Sequence, residues 1–128
     1  MANPQIVLCD TNILVELSKR NSDIIYELKA IGSANIAVSA ITAGEFIFGA
    51  LDKADLAKIL KALNAITIIQ VNESISELAV ELVKQYGLSH TLAVPDALIA
   101  ATALTRKIPL YTLNQKDFRF IPKLQLYS

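Results

Sequence analysis

The stretch Ile6-Val7-Leu8-Cys9-Asp10-Thr11-Asn12 constrains the fold of this chain more than any other. Four apolar residues run straight into a carboxylate, a hydroxyl and an amide, and the helix-like run Ile13-Leu14-Val15-Glu16-Leu17 follows at once. A short apolar run with β-branched residues suits a strand covered on both faces, as in a parallel sheet. An Asp at the carboxyl end of such a strand stands where open α/β sheets present their ligand groups. Other acids are then expected on the same edge.

The chain goes on alternating helix and strand. Asn12 can cap a helix through about Arg20, and Asn21 or Ser22 can cap another that ends at Gly32. Ile36 to Ser39 reads as a second strand, and Thr42 with Glu45 has the spacing of a capping box for the next helix. Leu56, Ile59, Leu60 and Leu63 mark a helix from Lys53 to Asn64, ahead of a strand over Ile66 to Val71. Ser74 and Glu77 offer a second capping box for a helix traced by Ile75, Leu78, Leu82 and Tyr86 and closed by Gly87. Leu88 to Val94 then connects to a helix from Asp96 to about Lys107, with Pro95 in the favoured first position. Leu110 to Leu113 and Leu124 to Tyr127 are the last candidate strands. The pattern is that of an α/β fold with a mainly parallel central sheet, expected as a single domain over residues 1–128.

Lys plus Arg equals Asp plus Glu, so overall charge announces no nucleic-acid clamp. Beyond Asp96, however, Arg106, Lys107, Lys116, Arg119 and Lys123 face Asp117 alone, a local skew that could meet phosphates or simply be solvated. The apolar share of 53% is high, yet no uninterrupted apolar run approaches the roughly 18 residues of a membrane span. The excess is expected in a two-sided sheet and a subunit contact, with the helices from Phe46 to Leu63 as the surface of a homodimer. Cys9 stands alone and no basic-then-apolar leader is visible, so a cytoplasmic chain without membrane contact is expected.

Asp10, Glu45, Asp96 and Asp117 each fall at a strand end or in the first turn of the helix that follows. In a parallel sheet those places share one rim. Each acid also has a structural account: Asp10 as a cap, Glu45 in a capping box, Asp96 facing a helix dipole, Asp117 in a turn. Gathered together, carboxylates repel one another and hold protons unless a cation neutralises them. All-oxygen donors with no Cys pair or His cluster favour Mg2+ or Mn2+ over Zn2+. Such a site is suited to phosphodiester hydrolysis.

Asp10-Thr11-Asn12 after a strand, Glu45 at the end of Ser39 to Glu45, the run from Pro95-Asp96 to Thr102-Ala103, and the segment Thr112 to Phe118 with Asn114 and Asp117 together resemble a PIN domain of the VapC toxin type. The resemblance covers essentially the whole chain in order. It implies a three-layer α/β/α sandwich, a Mg2+- or Mn2+-dependent endoribonuclease acting on RNA, and pairing with a VapB-like antitoxin. Residue by residue, Asp10, Glu45 and Asp96 match the three metal-site acids, and Asp117 matches a fourth that varies in the family. Asn114 stands where some relatives place that acid. Thr11, Asn12, Thr112 and Asn114 would hold carboxylates or water by hydrogen bonds, with Glu45 holding the ion or taking a proton from the attacking water. A non-catalytic PIN-like binding module is the alternative. A phosphatase or a receiver domain built on Asp10 fits poorly, because Asn12 occupies the position where the phosphatase would want a second acid. His90 is expected to be structural or solvated, and Cys9 a small buried hydrophobe.

Overall fold

The structure is a computed structural model that describes residues 5–128. Four strands, β1 (Val7–Cys9), β2 (Ile36–Ser39), β3 (Thr67–Ile69) and β4 (Leu110–Tyr111), alternate with six helices. The helices are α1 (Thr11–Ser18), α2 (Ser22–Ile31), α3 (Ala40–Phe48), α4 (Lys53–Asn64), α5 (Glu73–His90) and α6 (Val94–Arg106). The strand order is β3-β2-β1-β4, and every pair is parallel. From β1 the chain lays down β2 and β3 on one side and then crosses to place β4 on the other. The order therefore reverses between β1 and β4, the switch point at which open α/β sheets bind ligands beyond their carboxyl ends.

Alternation along the strands sorts the two faces. Leu8, Ala37 and Ile69 pack with Ile75, Leu82, Ile99 and Ala100 of α5 and α6, and with Phe118 and Ile121 of the C-terminal segment. Cys9, Ile36 and Val38 pack with Ile13, Leu28, Ala43, Ile59 and Leu63, drawn from α1 to α4. These are the expected three layers. Helix α6 is apolar nearly all round because it is buried nearly all round: Ala97, Ile99, Ala100, Ala101, Thr102 and Ala103 are all buried. Among the described residues no helix is long and apolar enough to cross a membrane.

The helix starts differ from expectation in an instructive way. Asp10, not Asn12, is the N-cap of α1, because its backbone is still extended and its carboxylate accepts the Thr11 N–H. The Thr42–Glu45 capping box does not form: α3 begins at once after β2, and the Ser39 hydroxyl accepts from the Ile41 N–H at 3.1 Å. Nor does the Ser74–Glu77 box, since Asn72 caps α5 through the Ile75 N–H at 2.9 Å. Asn21 does cap α2, which ends at Gly32 with φ 87°, where a side chain would be strained.

Helix α5 runs through Gly87 to His90 and is turned by Thr91 in the left-handed region, so the connector to α6 is short. Pro95 is the second residue of α6, after Val94. The expected last strand reduces to a single parallel bridge between Leu110 and Leu126. The Leu110 N–H donates to the Gln125 carbonyl at 2.9 Å and the Tyr127 N–H to the Leu110 carbonyl at 2.8 Å, which covers the edge of β4.

Candidate active site

The carboxyl ends of β1 and β4 meet through Asp10. Its N–H donates to the Tyr111 carbonyl at 2.9 Å, extending the parallel ladder by one residue. Oδ1 accepts the Thr11 N–H at 2.7 Å, and Oδ2 accepts the Thr112 hydroxyl at 2.9 Å. The residue is only 7% exposed. The Thr112 oxygen in turn accepts the Asn12 side-chain N–H at 3.3 Å and the Asn114 backbone N–H at 3.1 Å. A hydroxyl that already accepts two N–H groups has its one proton aimed elsewhere, here at Asp10. Asn12 closes the arrangement by accepting the Leu113 N–H at 3.3 Å. Displaced from the cap, Asn12 thus steadies Asp10 through Thr112, across the β1–β4 junction.

Glu45 lies on the neighbouring helix, released from the capping role. Its Oε1 accepts the Thr11 hydroxyl at 2.7 Å, and the Thr11 oxygen lies 3.2 Å from that of the fully buried Thr42. The Thr11 backbone thus holds Asp10 while its side chain holds Glu45. Thr42 is the residue that sequence reasoning missed here, because its spacing to Glu45 disguised it as a cap.

Asp96 stands in the first turn of α6, where the helix dipole favours a negative charge. Burial pushes its pKa up from 3.8 to about 6, with further increments from the charges of Asp10, Asp117 and Glu45. Asp117 closes the short 3-10 turn Gln115–Asp117. Asp10 is also raised, first by burial and then by Glu45 and Asp117, against the lowering effect of the hydrogen bonds from Thr112 and the Thr11 N–H. The charges of Glu45 and Asp117 thus reach both Asp10 and Asp96, and that of Asp10 reaches Asp96. Asn114 contributes its backbone N–H to Thr112.

No basic side chain balances this charge: the ion pairs found among the described residues, Lys19–Glu16 at 3.4 Å and Lys84–Glu81 at 3.1 Å, involve none of the four acids. As placed, no three His, Cys, Asp or Glu side chains among the described residues are close enough to enclose an ion. The acids still act on one another through charge, as the raised Asp10 and Asp96 show. Their chemistry nonetheless fits a hard divalent cation, with all-oxygen donors and an uncompensated negative charge. Cys9 is no competing ligand: burial, then the adjacent Asp10, pushes its thiol up from 9.0 to about 12, which keeps it protonated.

A parallel α/β/α sheet with acids gathered around its switch point defines the class. Within that class the chain belongs to the PIN domain family, whose model matches residues 7–124. Over 38 residues it is 56% identical to a protein named Ribonuclease VapC from Rickettsia bellii (strain RML369-C), a match spanning 30% of this chain and 28% of that relative. Among solved structures, it is similar to a toxin-antitoxin complex from Klebsiella pneumoniae, with 35% identity, a TM-score of 0.79, and coverage of 92% of this chain and 94% of that one. It is also similar to VapBC2 from Rickettsia felis bound to a DNA fragment from their promoter, with 27% identity, a TM-score of 0.77, and coverage of 96% and 98%.

Proposed function

We propose that this chain is a Mg2+- or Mn2+-dependent endoribonuclease acting as the toxin of a VapBC-type pair, built as one PIN-like domain and working in the cytoplasm. The observation that carries the reading is the raising of both Asp10 and Asp96 by burial and by neighbouring acids of the rim, with no ion pair to any of the four acids among the described residues. Such a group of charges is costly unless a cation joins it.

Asp10, Asp96 and Asp117 would hold the ion, with Glu45 beside them. A divalent ion bound there lowers the pKa of water and stabilises charge on the departing oxygen of a phosphodiester. Thr112 keeps Asp10 turned toward the rim. Thr11 occupies Oε1 of Glu45, so Oε2 is the oxygen left to accept a proton from the attacking water. Cleavage of single-stranded RNA is expected with Mg2+ or Mn2+ and not with EDTA. Asp10→Ala is expected to abolish it, and full cleavage by that variant in a clean preparation overturns the reading.

The proposed partners are a VapB-like antitoxin and a second copy of this chain. Phe48 and Leu51 are 92% and 90% exposed, and Ile47, Leu60, Leu63, Ile66 and Ile68 line a groove together with Lys61 and Asn64. Large apolar side chains exposed on α3 and just after it, with an apolar groove on the same helices, suit a contact surface. A purely protein-binding module would use the same groove and is the second reading. It predicts no stabilisation by Mn2+, whereas a metal enzyme gains stability from an ion that binds only the folded form.

A further inference from the structure

Three aromatic rings meet at the C-terminal end of α5, and the proposed chemistry uses none of them. Tyr86 and His90, four residues apart, share one face of α5. Phe120 arrives from the C-terminal segment just after Asp117. The His90 and Phe120 rings are stacked, 4.1 Å between centroids and 19° between planes. Tyr86 braces both, at 5.7 Å and 73° from His90 and at 5.1 Å and 55° from Phe120. Tyr86 and Phe120 are partly buried against the core, whereas His90 is exposed. One face of the imidazole therefore rests on Phe120 while the residue as a whole is exposed, and the Ser89 hydroxyl lies 2.8 Å from Nδ1.

Position gives the platform a use. The segment from Thr91 to Pro95 carries the chain from His90 directly to Asp96, and Phe120 follows Asp117 by three residues, at most about 11 Å of extended chain. Two strands of the polypeptide thus leave the acid rim and meet again in the stack. The same stretch exposes Lys116 and Arg119, and neither makes an ion pair among the described residues. A flat aromatic face beside unpaired cations, next to a site for phosphodiester chemistry, is the combination that binds single-stranded nucleic acid.

Resting on the ribonuclease reading above, we infer that the His90 ring, backed by Phe120 and Tyr86, is a base-stacking subsite that holds one unpaired RNA base next to the scissile phosphate, with Lys116 and Arg119 on the flanking phosphates. A role confined to covering the core does not require the outermost ring to be an exposed, hydrogen-bonded imidazole.

The test uses fluorescein-labelled single-stranded RNA decamers with Mg2+, bound by protein carrying Asp10→Asn to prevent cleavage. His90→Ala in that background is expected to weaken binding about tenfold, the effect of losing one base–aromatic stack. His90→Phe, which keeps a flat ring, is expected to restore it. Replacing the bases one at a time by abasic residues should reveal one position at which the His90→Ala penalty disappears. With Asp10 intact, His90→Ala should raise KM and leave kcat nearly unchanged. Equal affinity of His90→Ala and its parent, or a penalty that every abasic decamer retains, overturns the subsite. Metal-dependent cleavage with an unchanged KM in His90→Ala sinks the subsite and leaves the ribonuclease reading standing. Stacking-dependent binding by a protein that never cleaves RNA does the reverse.

Discussion

If the acids of the rim repel one another, removing one charge should stabilise the metal-free protein. Asp96→Asn is the sharpest case because the change is nearly isosteric. Burial and the charges of Asp10, Asp117 and Glu45 lift the Asp96 pKa from 3.8 to about 6. At about 1.4 kcal/mol for each tenfold change in proton affinity, that rise corresponds to about 3 kcal/mol. The carboxyl remains partly open to water, and screening reduces the figure to about 1–2 kcal/mol. Asn also forfeits roughly 0.5 kcal/mol of favourable interaction with the α6 dipole, which leaves a net gain of about 1 kcal/mol. The sign with pH follows from linkage: a carboxyl whose folded pKa is raised binds its proton more tightly in the folded state. Below about pH 4 both states are protonated and no penalty exists. The wild type then loses stability as pH rises from about 4 through about 6, and the full penalty stands at pH 7 and above. Urea melts in EDTA should show Asp96→Asn more stable than wild type by about 1 kcal/mol at pH 7.5, and a thermal scan a Tm gain of about 3–5 °C. The advantage should be gone at pH 4. A variant no more stable at pH 7.5, or equally favoured at both pH values, refutes the electrostatic account of the rim.

Thr112→Val removes the proton aimed at Asp10 and leaves the Asn12 and Asn114 N–H groups without their acceptor, a cost of about 1–3 kcal/mol in urea melts. The loss should be larger at pH 8 than at pH 4, because the lost bond favours the ionised form of Asp10. Ser39→Ala should cost about 1 kcal/mol as the cap of α3, whereas Glu45→Gln, which caps nothing, should alter stability by less than about 0.5 kcal/mol while suppressing RNA cleavage. Mn2+ at a hundredfold excess over its Kd should stabilise the wild type by about 2.7 kcal/mol, and Asp96→Asn should lose most of that gain in the same thermal scan.

The sequence made the sheet and the acid positions legible because both rest on short-range signals: apolar runs of strand length, and acids just beyond them. Ser39 and Asn72 show where that legibility stops. In each case a nearby Thr or Ser with an acid three residues on offers a competing local signal, a spacing that also arises by chance inside a helix. What decides a helix start is the residue at which the backbone is still extended, and that depends on where the strand stops pairing. Gly87 misled for a related reason. A glycine inside a helix costs about 1 kcal/mol against Ala, a penalty that packing of α5 on α6 overrides. Asn12 was least legible of all: its partners are Thr112 and the Leu113 N–H, a hundred residues away in the chain, and no local pattern points to them. His90 looked isolated for the same reason, since Phe120 reaches it only through the fold.

Asp10 combines three roles. One carboxylate caps α1, bridges to β4 through Thr112 and carries a charge that burial and two neighbouring acids oppose. The hydrogen bonds that pull its pKa down are the same ones that fix its orientation, so the chain gains order at the point where it tolerates electrostatic strain. That strain is placed where strand order reverses, on the edge of two well-filled apolar layers that can offset it. Because Thr112 follows β4 while Asp10 follows β1, the carboxylate gains its second hydrogen bond only when the last strand has docked beside the first. On the proposed metal-dependent reading, an ion taken up by these acids would bind the completed fold, and the charge that weakens the metal-free chain would favour its folded form.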